Sequence, residues 1–164
     1  MRSLVLALAV MGLGVVLSLL IADKPSEKAE GYSFQTLTDV NEVLKPVMGG
    51  SPTSFNNKTI LMLFNSECEH CQQEISDIVE NLKSFDGIQL WFVSFEEEEA
   101  TSYFLLQKGV MARNASYSFW IDPEVAYKTF GPLRFPQTFV YQDNQLVKSF
   151  LGPIEVNKML EVFR

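Results

Sequence analysis

The chain has two cysteines, and both sit in one Cys-x-x-Cys, Cys68-Glu69-His70-Cys71. Two thiols at that spacing move electrons in pairs. A thiolate attacks a disulfide, a mixed disulfide forms, and the second thiol resolves it. An apolar run over 59–64 precedes the motif, and an amphipathic stretch opens at Gln72. A strand therefore feeds a helix that starts at the dithiol. The first N–H groups of a helix have no intrahelical partner, and the dipole places partial positive charge at that end. A sulfur at Cys68 receives both effects, which lower a thiol pKa. Cys71 lies about one turn further in, close enough to close a disulfide and more shielded. Cys68 reads as the attacking thiol and Cys71 as the resolving one.

Other uses of the pair fit less well. A structural disulfide across so short a loop constrains the unfolded chain little. A structural zinc site takes four ligands, but His70 is the one histidine and there is no second cysteine pair. No metal and no cofactor is expected. Two buried, inert thiols are the plain structural alternative.

The dithiol needs a frame to hold it. The run over 59–64 reads as a buried strand, and the helix after the motif presents Ile75, Ile78, Val79 and Leu82 on one face. Asp86-Gly87 ends it, and 88–95 is the next buried strand. The acids over 96–99 load the front of a helix that reaches about Lys108, where the dipole favours them. A strand over 117–121 follows. Asp122-Pro123-Glu124 starts a short helix that Gly131 stops. Residues 136–141 and 145–150 form a hairpin about Asp143-Asn144. Gly152-Pro153 leads to a last helix with Val156, Met159, Leu160 and Phe163 on one face. Upstream, 33–37 reads as a short strand. Thr38 or Asp39 then caps a helix with Val40, Val43, Leu44 and Val47 on one face, limited by Pro46. Gly49-Gly50-Ser51-Pro52 is a loop. The order β-α-β-α-β-α-β-α-β-β-α predicts an α/β fold, a mixed sheet covered by helices on both faces. Trp91 and Trp120 are expected in the core, given the apolar area each buries.

The 164 residues suit one domain, and a net charge of −7 argues against a nucleic-acid surface. Residues 4–22 carry no charge and follow Arg2. They are expected to be a membrane anchor, since Leu20 is large for a cleavage site, with a cleaved signal peptide as the alternative. Residues 23–31 then form a linker and 32–164 the domain. The lone Arg2 before the span places the N-terminus inside and the domain in an exported compartment, where disulfide chemistry persists.

Strand, Cys-x-x-Cys helix, and a later Pro-x-Thr strand with a hairpin and final helix together resemble the thioredoxin fold over about 32–164. The stretch Phe64-Asn65-Ser66-Glu67-Cys68-Glu69-His70-Cys71 resembles the active-site entry of the TlpA/ResA-like thiol–disulfide oxidoreductases. Gly131-Pro132-Leu133-Arg134-Phe135-Pro136-Gln137-Thr138-Phe139-Val140 resembles that group's second signature. The resemblance implies a periplasmic or envelope enzyme that exchanges disulfides with cysteines of exported proteins, more often reductively, and is reset by a membrane or envelope redox partner. It implies a cis Pro136 beside the dithiol and a Phe135 backbone free to pair with an extended substrate. The Phe135 side chain is either core or a lip for substrate. Glu67 and Glu69 flank the site. Met62 stands where thioredoxins carry a buried aspartate, so Cys71 must lose its proton to water or another acid, with Glu67 and Glu69 as candidates. His70 resembles the histidine in the Cys-x-His-Cys of oxidising DsbA-type proteins, where a donor at that point stabilises the first thiolate. The alternative for His70 is a solvent-facing residue with little influence.

Two other functions compete. A peroxiredoxin-like peroxidase needs a proline and a threonine ahead of its cysteine, and Leu61 and Asn65 stand there. A thioredoxin-fold binding module or metal chaperone without turnover would have His70 as its one histidine.

Overall fold

The computed structural model describes residues 34–112 and 115–164. The anchor over 4–22, the linker over 23–31 and the domain's expected start at Tyr32 lie outside the described residues. Among the described residues, five α-helices and six strands follow in order: α1 (Leu37–Val43), β1 (Lys45–Met48), β2 (Lys58–Leu63), α2 (Glu69–Glu80), β3 (Gln89–Ser94), α3 (Glu98–Lys108), β4 (Ser116–Trp120), α4 (Pro123–Phe130), β5 (Gln137–Gln142), β6 (Gln145–Leu151) and α5 (Val156–Glu161). One sheet holds all six strands in the order β1-β4-β3-β2-β5-β6. β2 runs parallel to β3, with Leu61 beside Trp91, and antiparallel to β5, with Leu61 beside Phe139. Among the described residues, no helix is long and apolar enough to cross a membrane.

The central strands β2 and β3 are buried along nearly their whole length because both faces of the sheet are covered. Ile60, Met62, Phe64, Leu90, Phe92 and Val140 point to one face and pack with Cys71, Ile75, Ile78, Leu105 and Met159 of α2, α3 and α5. Leu61, Leu63, Trp91, Val93, Phe119 and Phe139 point to the other and pack with Leu37, Val40, Ala126 and Phe130 of α1 and α4. The mixed sheet with helices on both faces is the one the sequence pattern predicts. Trp91 is fully buried, as expected. Trp120 is half-buried instead, because β4 neighbours the edge strand and Lys45 Nζ covers its ring at 4.7 Å.

The N-terminal elements differ from expectation. The strand expected over 33–37 is, within the described residues, a single bridge between Thr36 and Gln145. Thr36, and neither Thr38 nor Asp39, is the N-cap of α1, its hydroxyl accepting the Asp39 N–H at 3.1 Å. The helix face expected to run on to Val47 breaks after Val43, and Lys45–Met48 is an edge strand antiparallel to β4. The cause is Pro46. It bars the residue before it from helical backbone, and an edge strand tolerates its missing N–H. The ladder shifts register between Pro46 and Met48, so the proline sits at an irregularity.

The hairpin turn holds α1 to the sheet. Asp143 and Asn144 have φ of 50° and 69°, the left-handed pair a two-residue hairpin requires. Asn144 Oδ1 accepts the Thr38 N–H at 3.0 Å and the Thr38 hydroxyl at 3.1 Å. Asn144→Ala should lose both bonds and force a Cβ-bearing residue without local polar help into left-handed backbone, a cost of about 2 kcal/mol. Asn144→Gly loses the bonds but keeps the backbone freedom and should cost about half as much. Urea unfolding at constant m checks both. Equal losses would show that the backbone conformation contributes nothing.

Candidate active site

β2 ends at Leu63, and the chain leaves the sheet through a short loop into α2. The Phe64 N–H donates to Val93 O at 3.0 Å, and the Cys68 N–H to Asn65 O at 3.2 Å. The Asn65 side chain accepts the Glu67 N–H at 2.9 Å, and Gln72 Nε2 donates to Ser66 O at 2.7 Å. Cys68 is the N-cap of α2, as its position after the strand predicts. Its Sγ accepts the Cys71 N–H at 3.3 Å. An orphan helix donor thus ends on sulfur, at the positive end of the dipole. Both cysteines are free; Cys68 is half-buried and Cys71 fully buried.

Burial pushes the Cys71 thiol far up. A backbone hydrogen bond from Asn65 opposes this, while the neighbouring Cys68 and the charge of Glu74 add to it. Glu74 lies three residues on from Cys71 and is 2 % exposed. Thr138 Oγ1 donates to its Oε1 at 2.9 Å, and the Ile154 N–H donates to its Oε2 at 3.0 Å. Burial raises its pKa to about 7 even though both donors lower it; Asp77 nearby raises it further.

Glu74 is the residue the sequence reading missed. The sequence offers water, or Glu67 and Glu69, to take the Cys71 proton. Both are exposed, and the charges that act on Cys71 are those of Cys68 and Glu74. The reason is helical geometry. Glu69 starts α2 on the outer side, whereas position 74 shares the inward stripe with Cys71, Ile75 and Ile78. A lone carboxylate on an apolar stripe was the available signal.

The other anticipated residues divide into two groups. Phe135-Pro136 is a cis peptide, and Pro136 is buried, one residue before the Leu63–Gln137 pair of the β2–β5 ladder. Phe135 is half-buried, its ring tilted against Phe95 with centroids 5.4 Å apart, and like Cys68 it packs on the layer that contains Cys71. These residues lie at the same end of the sheet as the dithiol. His70, Glu67 and Glu69 are exposed. His70 lines a shallow cleft with Gln73, Glu74, Asp77, Pro153, Ile154 and Glu155. Met62, in the place of a buried aspartate, is core beside Cys71. Among the described residues, no three His, Cys, Asp or Glu side chains are grouped to hold a metal ion.

No protein-family model and no curated protein matches the sequence. Solved structures do match. StoA from Bacillus subtilis superposes with a TM-score of 0.58 at 16% identity, covering 74% of this chain and 95% of that one. The fold is thioredoxin-like. A secreted Mycobacterium tuberculosis disulfide oxidoreductase homologous to E. coli DsbE gives a TM-score of 0.57 at 9% identity, over 73% of this chain and 91% of that one. Peroxiredoxin Q from Xanthomonas campestris gives 0.56 at 13% identity, over 80% and 93%. Both oxidoreductases and peroxidases are thus built on this fold, so fold alone does not choose between them.

The Glu74 shift has a measurable consequence for stability. With a folded pKa near 7 against an ordinary 4.5, the folded state holds this proton more tightly than the unfolded chain. The associated stability is full below 4.5 and is lost as pH rises through about 7, to a total of order 3 kcal/mol. In Glu74→Gln the amide can give its N–H to Thr138 Oγ1 and keep its oxygen for Ile154, as the neutral acid does. Urea unfolding should find the variant gaining on wild type by about that amount between pH 5 and pH 8. A difference independent of pH would show that Glu74 does not titrate in this range.

Proposed function

We propose that the protein is a thiol–disulfide oxidoreductase. The observation that carries this reading is the half-buried Cys68 sulfur at the N-cap of α2, backed by the buried Cys71 thiol with the Glu74 carboxyl one turn behind it. Cys68 attacks a substrate disulfide as the thiolate, and the first substrate sulfur leaves as a thiolate and takes up a proton. Cys71 then loses its proton to the Glu74 carboxylate and attacks Cys68 Sγ. The second substrate thiolate leaves, and the Cys68–Cys71 disulfide closes. The substrate gains two electrons and the dithiol loses two. A pKa near 7 suits Glu74 to the proton transfer, because both of its forms are populated at neutral pH.

The finer parts of this reading rest on the sequence resemblance to the TlpA/ResA-like group. They are an exported, membrane-tethered setting with 4–22 as anchor, cysteines of other exported proteins as substrates, and an envelope partner that re-reduces the disulfide. Phe135 and Pro136 would face the substrate backbone, Glu67 and Glu69 would border it, and His70 would tune the dithiol. The secreted M. tuberculosis structure favours the same setting. A peroxidase reading has structural neighbours, but Leu61, where that chemistry wants proline, is fully buried in the central strand.

Purified protein should accelerate dithiothreitol-driven insulin reduction, and Cys68→Ser should return it to background. Full activity in Cys68→Ser, or none in wild type, sinks the reading, and rapid hydrogen peroxide consumption would move it to the peroxidase class. Cys71→Ser should accumulate a mixed disulfide on Cys68, visible by mass. Resolution of that species in wild type should quicken as pH rises through about 7, as Glu74 becomes a carboxylate able to accept the proton. In Glu74→Gln the inflection should vanish and the rate at pH 8 fall by about tenfold to a hundredfold. An unchanged inflection in that variant assigns the proton to another base.

A further inference from the structure

Glu96 stands apart from the acids that follow it. Glu97, Glu98 and Glu99 are exposed at the start of α3, whereas Glu96 is half-buried and bonded to the loop that carries the dithiol. Its Oε2 accepts the Ser66 N–H at 2.7 Å, and its Oε1 accepts the Ser66 hydroxyl at 2.7 Å. Ser94 Oγ donates to Oε2 at 3.1 Å and accepts the Glu96 N–H at 3.1 Å. Three donors converge on one carboxylate, and among the described residues no Lys or Arg pairs with it. Such a group ties one piece of backbone to another with short, charge-assisted bonds.

The tied residue lies next to Asn65. The Asn65 backbone supplies the hydrogen bond that opposes the rise of the Cys71 thiol, and its carbonyl accepts the Cys68 N–H at 3.2 Å. We infer that Glu96 is a positioning residue for the exchange: by clamping Ser66 it sets the Asn65 backbone against Cys71 and so governs the second, resolving step. The inference rests on the oxidoreductase reading above. Ionising Cys71 leaves negative charge in an apolar layer, and a backbone donor is what offsets it there. Cys68 takes its own bond from the Cys71 N–H inside α2, which Glu96 does not touch. The two steps therefore lean on the clamped loop to different degrees: it holds the Cys68 backbone through Asn65 O, while Cys68 Sγ takes its own bond from within α2.

Ellman's reagent, an aryl disulfide, separates them. Attack by Cys68 on the reagent releases one coloured thiolate and leaves an aryl mixed disulfide on Cys68. Cys71 then gives up its proton and attacks Cys68 Sγ, releasing the second thiolate and closing the Cys68–Cys71 bond. The reagent takes the two electrons that the dithiol loses. With reduced full-length protein in stopped flow, Glu96→Ala should slow the second release by about tenfold and leave the first within about twofold of wild type. Glu96→Gln keeps an acceptor oxygen for Ser66 and should recover most of the rate. Ser66→Ala deletes only the hydroxyl contact, should fall between the two, and keeps the test open if Glu96→Ala does not fold. A second release within about twofold of wild type in both Glu96→Ala and Ser66→Ala, or equal slowing of both releases in Glu96→Ala, overturns the role of Glu96. A wild-type protein with no second release at all overturns the oxidoreductase reading itself.

Discussion

The inward face of α2 buries a thiol and a carboxylic acid one turn apart, and the site's chemistry follows from that crowding. Neither group can ionise freely. Burial disfavours the charged form of each, and a charge on Glu74 makes one on Cys71 harder still. At neutral pH the pair holds more proton than two exposed groups would, because Glu74 is still partly protonated there. A proton leaving Cys71 therefore has a nearby acceptor whose affinity lies close to the ambient pH. Such a pair survives in an apolar layer because the carboxyl is anchored from two directions. Thr138 reaches it from β5 and the Ile154 N–H from the loop before α5. A buried acid without those donors would be a defect in the core.

The sheet topology explains why these anchors meet. β2 and β3 run parallel, and their C-terminal ends deliver Phe64–Cys68 and Phe95–Glu96 to one end of the sheet. β5 and β6 are antiparallel neighbours, so the start of β5 and the end of β6 arrive there as well, bringing Phe135-Pro136 and Gly152–Ile154. The Gly152 N–H closes this edge on Pro136 O at 2.9 Å. The dithiol sits where four loops converge, in the crevice that open α/β sheets use for chemistry. Helices α2, α3 and α4 also begin at this end, and acids gather at their first turns: Glu69, Glu98, Glu99 and Glu124. The helix dipole favours acids there, which accounts for most of this charge without a functional role.

Much of this was legible in the chain, for identifiable reasons. The buried strands, the Asp122 cap with Pro123, the Gly131 stop and the Asp143-Asn144 turn rest on local backbone rules that tertiary context did not override. The dithiol at the helix start was legible because a strand, a short loop and an amphipathic stretch leave little choice. Thr36 and β1 were not, because the apolar spacing from Val40 to Val47 mimics a helix and the deciding constraint is Pro46 meeting a free sheet edge. Glu74 and Glu96 were not for a different reason. Each looks like an ordinary surface acid in sequence, one inside an amphipathic helix and one at the head of an acidic run. What distinguishes them is contact with residues far along the chain: Thr138 and Ile154 for Glu74, Ser66 for Glu96. Local pattern carries no information about such contacts.

The Met62 position shows how the two acids fit one design. In the layer beside Cys71, β2 offers Met62, fully apolar, so the strand supplies packing and no proton acceptor. The acid comes from the helix instead, on the same element as Cys71. A carboxylate on β2 as well would bring a second negative charge into the layer that already holds Glu74 and Cys71, and each would raise the others. With the acid on α2, helix hydrogen bonding fixes the two backbone positions relative to each other, and Thr138 and Ile154 fix the carboxyl. The remaining variable is the loop that leads from β2 into that helix. Its position relative to α2 is not set by the helix, and it carries the Asn65 backbone that faces Cys71. Glu96 fastens that loop from just beyond the end of β3, and Gln72 fastens it from α2. In the proposed exchange one acid, with a pKa of about 7, takes the proton, and the other holds the loop backbone through the three donors that meet on it.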